Sequence, residues 1–203
     1  MSFYLPLSIG YLIGSIPTAF ILLRWEKDID IRNAGSRNVG GMNAFDVTGS
    51  KIIGITVIVI DMLKGTAAVL LVYSFIGKDY WLSASSGIAA ILGHNYPIWL
   101  GFKGGRGIST TAGVFFVLGW IYIAIWIITW AVIHTKSKDD HVSNIVACIV
   151  TPIVIAVLPQ SIYQATFSIY AGKINYLYLA LTLSILIIIR HIESVKQLFK
   201  SLG

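Results

Sequence analysis

A chain of 203 residues that is 56% hydrophobic and 12% charged, with a mean hydropathy of +0.80, lies far outside the composition of a soluble globular domain. Its net charge of +6 sits on Lys and Arg between apolar runs, a pattern of membrane orientation and head-group attraction that excludes nucleic acid as the implied partner. The lone Cys148 allows no internal disulfide and, inside an apolar run, reads as a small packing residue.

In chain order, the apolar runs predict spans at roughly Tyr4–Leu23, Ile52–Ile76, Trp81–Gly93, Val142–Pro159 and Asn175–Ile189. The first run has neither a basic leader nor a small-x-small cleavage site, so it is expected to be a retained helix and not a signal peptide. The tract Ile108–Ile133, at about 26 residues, suits either one tilted helix or two short ones turning near Gly119. Crossing twice puts the polar loop Lys136–His141 on the same side as Arg24, Lys27, Arg32, Lys51, Lys103 and Arg106, as the positive-inside rule prefers. The expectation is a single all-α integral membrane domain over 1–203, a polytopic bundle of about seven spans with short or re-entrant segments. Its N-terminus lies outside, its C-terminus and site in the cytoplasm, and Lys78 and Lys173 remain outside.

Two polar, glycine-rich segments interrupt this pattern, GSRNVGGMN at Gly35–Asn43 and GHNYPIWLGFKGGRG at Gly93–Gly107. Glycine beside Ser36, Arg37, Asn38, Gly40, Asn43, His94, Lys103, Gly104, Gly105 and Arg106 lets backbone N–H groups and cations converge on an oxyanion. In the first segment, Ser36 with Asn38 is expected to cap a short helix reaching about Val47, itself an anion site. The competing reading is a helical turn whose glycines serve close packing. The second segment is no Walker A loop, because no Lys-Ser/Thr follows its glycines and no strand precedes them. There the competing readings are two snorkelling cations and a His94 that only hydrogen-bonds a helix end. The span before it covers only about 20 Å, short of a core of about 30 Å, so this segment is expected to dip below the head groups into a wet cavity.

Asp61 and Lys64, at i and i+3 inside the second span, read either as a mutually neutralising pair or as a site element. In the second case Lys64 is a distal phosphate contact or the pair is a brace behind the first motif. His134, His141 and His191 fall at interfacial ends, where solvated side chains are expected. Trp25, Trp81, Trp99 and Trp120 read as belt anchors.

Five elements in order carry a family resemblance: Gly35–Asn43, the D-x-x-K-G of Asp61–Gly65, Gly93–Gly107, Val142–Ser143, and Arg190–His191 followed by Glu193. Over nearly its whole length the chain resembles the bacterial acyl-phosphate:glycerol-3-phosphate acyltransferases. The resemblance implies transfer of an acyl group from acyl phosphate to the 1-hydroxyl of glycerol 3-phosphate, giving lysophosphatidic acid. No cofactor, coenzyme A, carrier protein or metal is implied, and a monomer among membrane lipids is expected. On the matching positions it implies Ser36, His94 and Ser143 as orienting or catalytic groups. Asn38, Gly40, Asn43, Lys103, Gly104, Gly105 and Arg106 are then the phosphate contacts, with Lys64 as the distal contact read above, Arg37 as a replacement cation, and Asp61, Glu193 and Ser194 behind them. The chain departs from the family pattern at Arg37, where a small residue is usual, at Asp46, where Arg is usual, and at Ser194, where Asn is usual. A divergent paralogue that binds a phosphate or lipid, and a small-anion transporter, are the readings from other classes.

Overall fold

The computed structural model describes residues 2–166, 169 and 172–202, without the side chains of 163 and 193–202. The described residues form ten α-helices: α1 (Tyr4–Gly14), α2 (Thr18–Lys27), α3 (Gly41–Thr48), α4 (Lys51–Phe75), α5 (Tyr80–Asn95), α6 (Ile108–Leu118), α7 (Ile121–Ser137), α8 (Asp140–Val157), α9 (Gln160–Gln164) and α10 (Lys173–Leu202). They fall into two compact units, Met1–Val114 and Phe115–Gly203, each taken by itself below. Four segments are long and apolar enough to cross a membrane, Tyr4–Lys27, Lys51–Phe75, Asp140–Val157 and Lys173–Ile192, with Ile108–Leu118 and Ile121–Ser137 as shorter apolar helices. The protein is an all-helical, multi-pass membrane protein.

In the first unit the helices approach through small residues, the usual solution where lipid removes the hydrophobic drive between helices. Gly10 and Gly14 of α1 abut the backbones of Ser86 and Ala90 on α5, and Gly65 and Gly113 seat α4 against α6. Gly41, at the start of α3, lies against the Gly54 carbonyl and the Ile58 side chain of α4. The Ser86 hydroxyl donates across to the Ala68 carbonyl at 2.9 Å.

The expected first span is broken. Its run of 24 residues divides at Ser15–Pro17 into α1 and α2. Pro17 has no N–H to continue the ladder and its ring crowds the carbonyl four residues back, so the helix stops there. At α5 the expectation holds: 16 residues reach about 24 Å, still short of a hydrocarbon core.

In the second unit the chain does break at Gly119, which takes φ 143 between α6 and α7. Irregular backbone within an apolar run needs internal partners. Tyr176 of α10 supplies them, its phenol donating to the Gly119 carbonyl at 2.5 Å and accepting the Tyr122 N–H at 3.2 Å. The Phe115 and Tyr122 rings stack at 4.0 Å beside it. α7 and α8 turn on Lys138, at φ 55, with Asp139 accepting the Val142 N–H at 2.8 Å as the cap of α8. Cys148 is buried in α8, as expected of a packing residue.

Candidate functional site

The first motif is a loop closed by one side chain. Asn43, 2% exposed, accepts the Ser36 N–H at 2.9 Å through Oδ1, and its Nδ2 donates to the carbonyls of Asn38 at 2.9 Å and Ala34 at 3.1 Å. All of its amide capacity for donation is used inside the loop. This corrects the expected cap: α3 starts at Gly41, its N-cap is Gly40 in extended conformation, and no side chain caps it. Ser36 lies in the preceding turn because Asn43 draws its N–H inward and leaves its side chain exposed. Arg37 beside it is exposed and left-handed, at φ 61. Asp46 also points to the exterior of α3.

Upstream of this loop, Asp30 accepts the Arg32 N–H at 3.0 Å and the Arg32 guanidinium at 2.9 and 2.7 Å. That hydrogen bonding holds the Asp30 carboxyl below the usual carboxylate range, and the Arg32 guanidinium lies over the Phe20 ring at 4.9 Å. The α2-to-α3 connection is thereby pinned just before the motif.

The second motif folds back on the end of α5. After a short turn of 3₁₀-helix at Ile98–Leu100, Gly101 and Phe102 take φ 60 and 64 and reverse the chain. The Gly104 N–H donates to the Asn95 carbonyl at 3.2 Å and the Gly105 N–H to the His94 carbonyl at 3.0 Å. A Cβ at Gly105 would overlap the His94 ring, so glycine is required there for close approach. His94 is buried, Lys103 is exposed and Arg106 is half-buried at the start of α6.

α4 joins the two motifs. Ile58 packs on Gly41, and three residues on, about 4.5 Å along the axis, Asp61 reaches the second motif with Oδ1 3.8 Å from His94 Nδ1. Asp61 also pairs with Lys64 at 2.7 Å, and Lys64 donates to the Ile16 carbonyl at 2.7 Å. Lys64 thus links Asp61 to the break between α1 and α2.

Within the second unit, Ser143 is fully buried in the first turn of α8, donating to the Asp139 carbonyl at 2.6 Å, with the Ser137 hydroxyl 3.1 Å away. Glu193 and Ser194 have side chains outside the described residues. His191 corrects the expectation of a solvated ring. It is fully buried, its ring edge-on against His141 at 5.5 Å and Nδ1 donating to the Ile187 carbonyl at 2.8 Å. His134 is half-buried, stacked on Trp130 at 4.7 Å with Nδ1 3.4 Å from Asp140.

Three residues of this region were not singled out by sequence reasoning. Tyr11 donates to the Tyr96 carbonyl at 2.8 Å, and Ser15 accepts the Trp99 indole N–H at 3.0 Å, so Trp99 is half anchor, half tether. Asn95 is fully buried beside Gly107, its side-chain amide without a hydrogen-bond partner among the described residues. The sequence signal available for this neighbourhood is Pro17, a proline inside an apolar run.

A family model described as glycerol-3-phosphate acyltransferase matches residues 4–201. The chain is 33% identical over 200 residues to a glycerol-3-phosphate acyltransferase of Zymomonas mobilis subsp. mobilis, covering 94% of this chain and 89% of that one. It is 37% identical over 190 residues to another from Pseudothermotoga lettingae, covering 94% and 87%. Among solved structures it is similar to PlsY (YgiH), an integral membrane glycerol 3-phosphate acyltransferase, in its glycerol 3-phosphate form, at TM-score 0.79 and 30% identity over 99% of this chain and 94% of that one. Sequence and fold agree over the same length, and the chain belongs to the glycerol-3-phosphate acyltransferase family.

Proposed function

We propose that the protein moves a fatty acyl group from acyl phosphate to the 1-hydroxyl of glycerol 3-phosphate, releasing inorganic phosphate and lysophosphatidic acid. The observation that carries this reading is the mounting of two glycine-rich loops at neighbouring levels of α4, one closed by Asn43 and one turned onto His94. Arg37, Lys103 and Arg106 add positive charge to those loops, suited to two phosphorylated substrates.

Acyl phosphate is already an activated mixed anhydride. The acceptor oxygen attacks the acyl carbon, the bond from that carbon to the phosphate oxygen breaks, and the hydroxyl proton leaves on a phosphate oxygen. Positioning and charge stabilisation then supply most of the acceleration. Ser36, Asn38, Gly40 and Arg37 receive one phosphate, and Lys103, Gly104, Gly105 and Arg106 the other. His94 orients without forming a covalent intermediate, and Asn43 holds the first loop. The site faces the cytoplasm, with the N-terminus outside.

The test is release of phosphate from palmitoyl phosphate by purified protein with and without glycerol 3-phosphate. Release that depends on the acceptor, with lysophosphatidic acid formed, is expected. Binding of either substrate with no turnover makes the chain a divergent paralogue. For orientation, a cysteine at Lys138 is expected to label from the cytoplasmic side and one at Lys173 from outside; the reverse pattern overturns it.

A further inference from the structure

The Asp61 and Lys64 side chains are 3% and 6% exposed within a helix long enough to cross the membrane. An ion pair at that depth is costly to desolvate, so pairing alone is a weak reason for its presence. Each partner also makes contact outside the pair. Lys64 donates to the Ile16 carbonyl at 2.7 Å and the Gly14 carbonyl at 3.5 Å, on either side of Ser15 where Pro17 interrupts the first span. Two backbone carbonyls and the Asp61 carboxylate thus surround the ammonium, and the break is closed from α4.

Asp61 works on the other side. Its Oδ1 lies 3.8 Å from His94 Nδ1, and the opposite nitrogen of that ring, Nε2, faces Gly105. The same helix break is tied to the second motif by Trp99 on Ser15 and Tyr11 on Tyr96. Helix break, ion pair, imidazole and glycine turn thus form one chain of contacts.

We propose that Asp61 and Lys64 are positioning residues: Lys64 locks the α1–α2 break, and Asp61 fixes the His94 ring so that its far edge sets the Gly104-Gly105 turn. The kinetic part of this inference rests on the acyl-transfer reading above; the spectroscopic part does not. At 3.8 Å, beyond hydrogen-bond length, the Asp61 carboxylate acts on that edge of the ring by its charge, which favours the proton on Nδ1 in the folded protein.

The experiment is nitrogen-15 histidine NMR of the detergent-solubilised protein, with the His94 signals assigned by their loss in His94→Gln. A protonated Nδ1 is expected in the unmodified protein, displaced in Asp61→Asn while the signals of His134, His141 and His191 stay in place. A non-protonated Nδ1 in the unmodified protein overturns the proposal whatever the variants do. The paired variant Asp61→Leu with Lys64→Met leaves no buried charge unpaired but frees the Gly14 and Ile16 carbonyls, so it is expected to melt below the parent yet unfold cooperatively, and its kinetics are read well below that melting point. Its kcat is expected to fall at least tenfold, since the ring is no longer set. A paired variant with parental kcat would mean that the two residues only neutralise each other. If the parent itself lacks acyl transfer, the kinetic arm fails with the proposed function and the histidine signals still decide.

Discussion

Asn43 accepts the backbone N–H of Ser36 across seven residues at 2.9 Å, and that single bond decides where the first motif's serine points. With Nδ2 holding two carbonyls as well, Asn43 replaces the helix cap that the residue types around Ser36 had suggested. Three hydrogen bonds at about 1 kcal/mol each make Asn43→Leu destabilising by roughly 2–4 kcal/mol. Asn43→Asp keeps the acceptor for Ser36 but sets a carboxylate against two carbonyl oxygens. Both variants are expected to melt lower and to lose acyl transfer, with Asn43→Asp the worse. Thermal unfolding in detergent beside a phosphate-release assay checks this, and parental melting in both would show that the loop is held by something else.

Glycines of the second motif separate into two kinds. At Gly105 a Cβ falls on the His94 ring, whereas at Gly101 the space is open and only the backbone, at φ 60, is unusual. Gly105→Ala is therefore expected to cut kcat/KM at least tenfold, about 1.4 kcal/mol of transition-state stabilisation. Gly101→Ala pays only left-handed strain of about 1 kcal/mol and keeps transfer within a few-fold. Equal kinetics in the two variants would remove the special role of the His94–Gly105 contact.

The Asp30–Arg32 pair gives a pH dependence whose sign is fixed. Because hydrogen bonding to Arg32 lowers the Asp30 pKa from 3.8, the pair stabilises the folded loop above that pH and loses its effect as pH falls through the lower folded value. Backbone amides of residues 29–34 are expected to exchange faster in Arg32→Gln than in the parent at neutral pH. The difference should shrink below pH 3.8, leaving the part due to lost packing of Arg32 on Phe20. A difference independent of pH would assign all of the effect to that packing.

Much of this architecture is legible in the sequence because its signals are local. Gly119 inside an apolar tract marked a helix break, the short run before His94 marked a helix too short to cross, and the two glycine-rich segments marked loops. What escaped depends on contacts far apart in the chain. Lys64 reaches the Ile16 carbonyl across 48 residues, so nothing near Pro17 announces how its break is satisfied. His191 stands at the end of the apolar run, where a solvated ring is expected, yet the ring is fully buried against His141 of another helix, a contact across 50 residues that no local pattern announces. Ser36 and Asn38 are favoured cap residues, yet capping propensity yields to one buried amide that organises the entire loop.

The departures from the family pattern meet at Arg37 and Asp46, both exposed on or beside the first motif. Arg37 holds φ 61, a conformation that glycine adopts without a Cβ penalty, so Arg37→Gly is expected to fold at least as well as the parent. Any kinetic loss in that variant then reports the missing cation, not a damaged loop. If Arg37 supplies the positive charge that relatives place at position 46, Arg37→Gly raises KM for glycerol 3-phosphate several-fold with kcat little changed, as for a contact made equally in ground and transition states. Asp46→Arg introduced in the same background is expected to recover most of the loss, because it removes a carboxylate and restores a guanidinium one helical turn from Asn43. Unchanged acceptor kinetics in Arg37→Gly would end the compensation argument and favour an acceptor other than glycerol 3-phosphate.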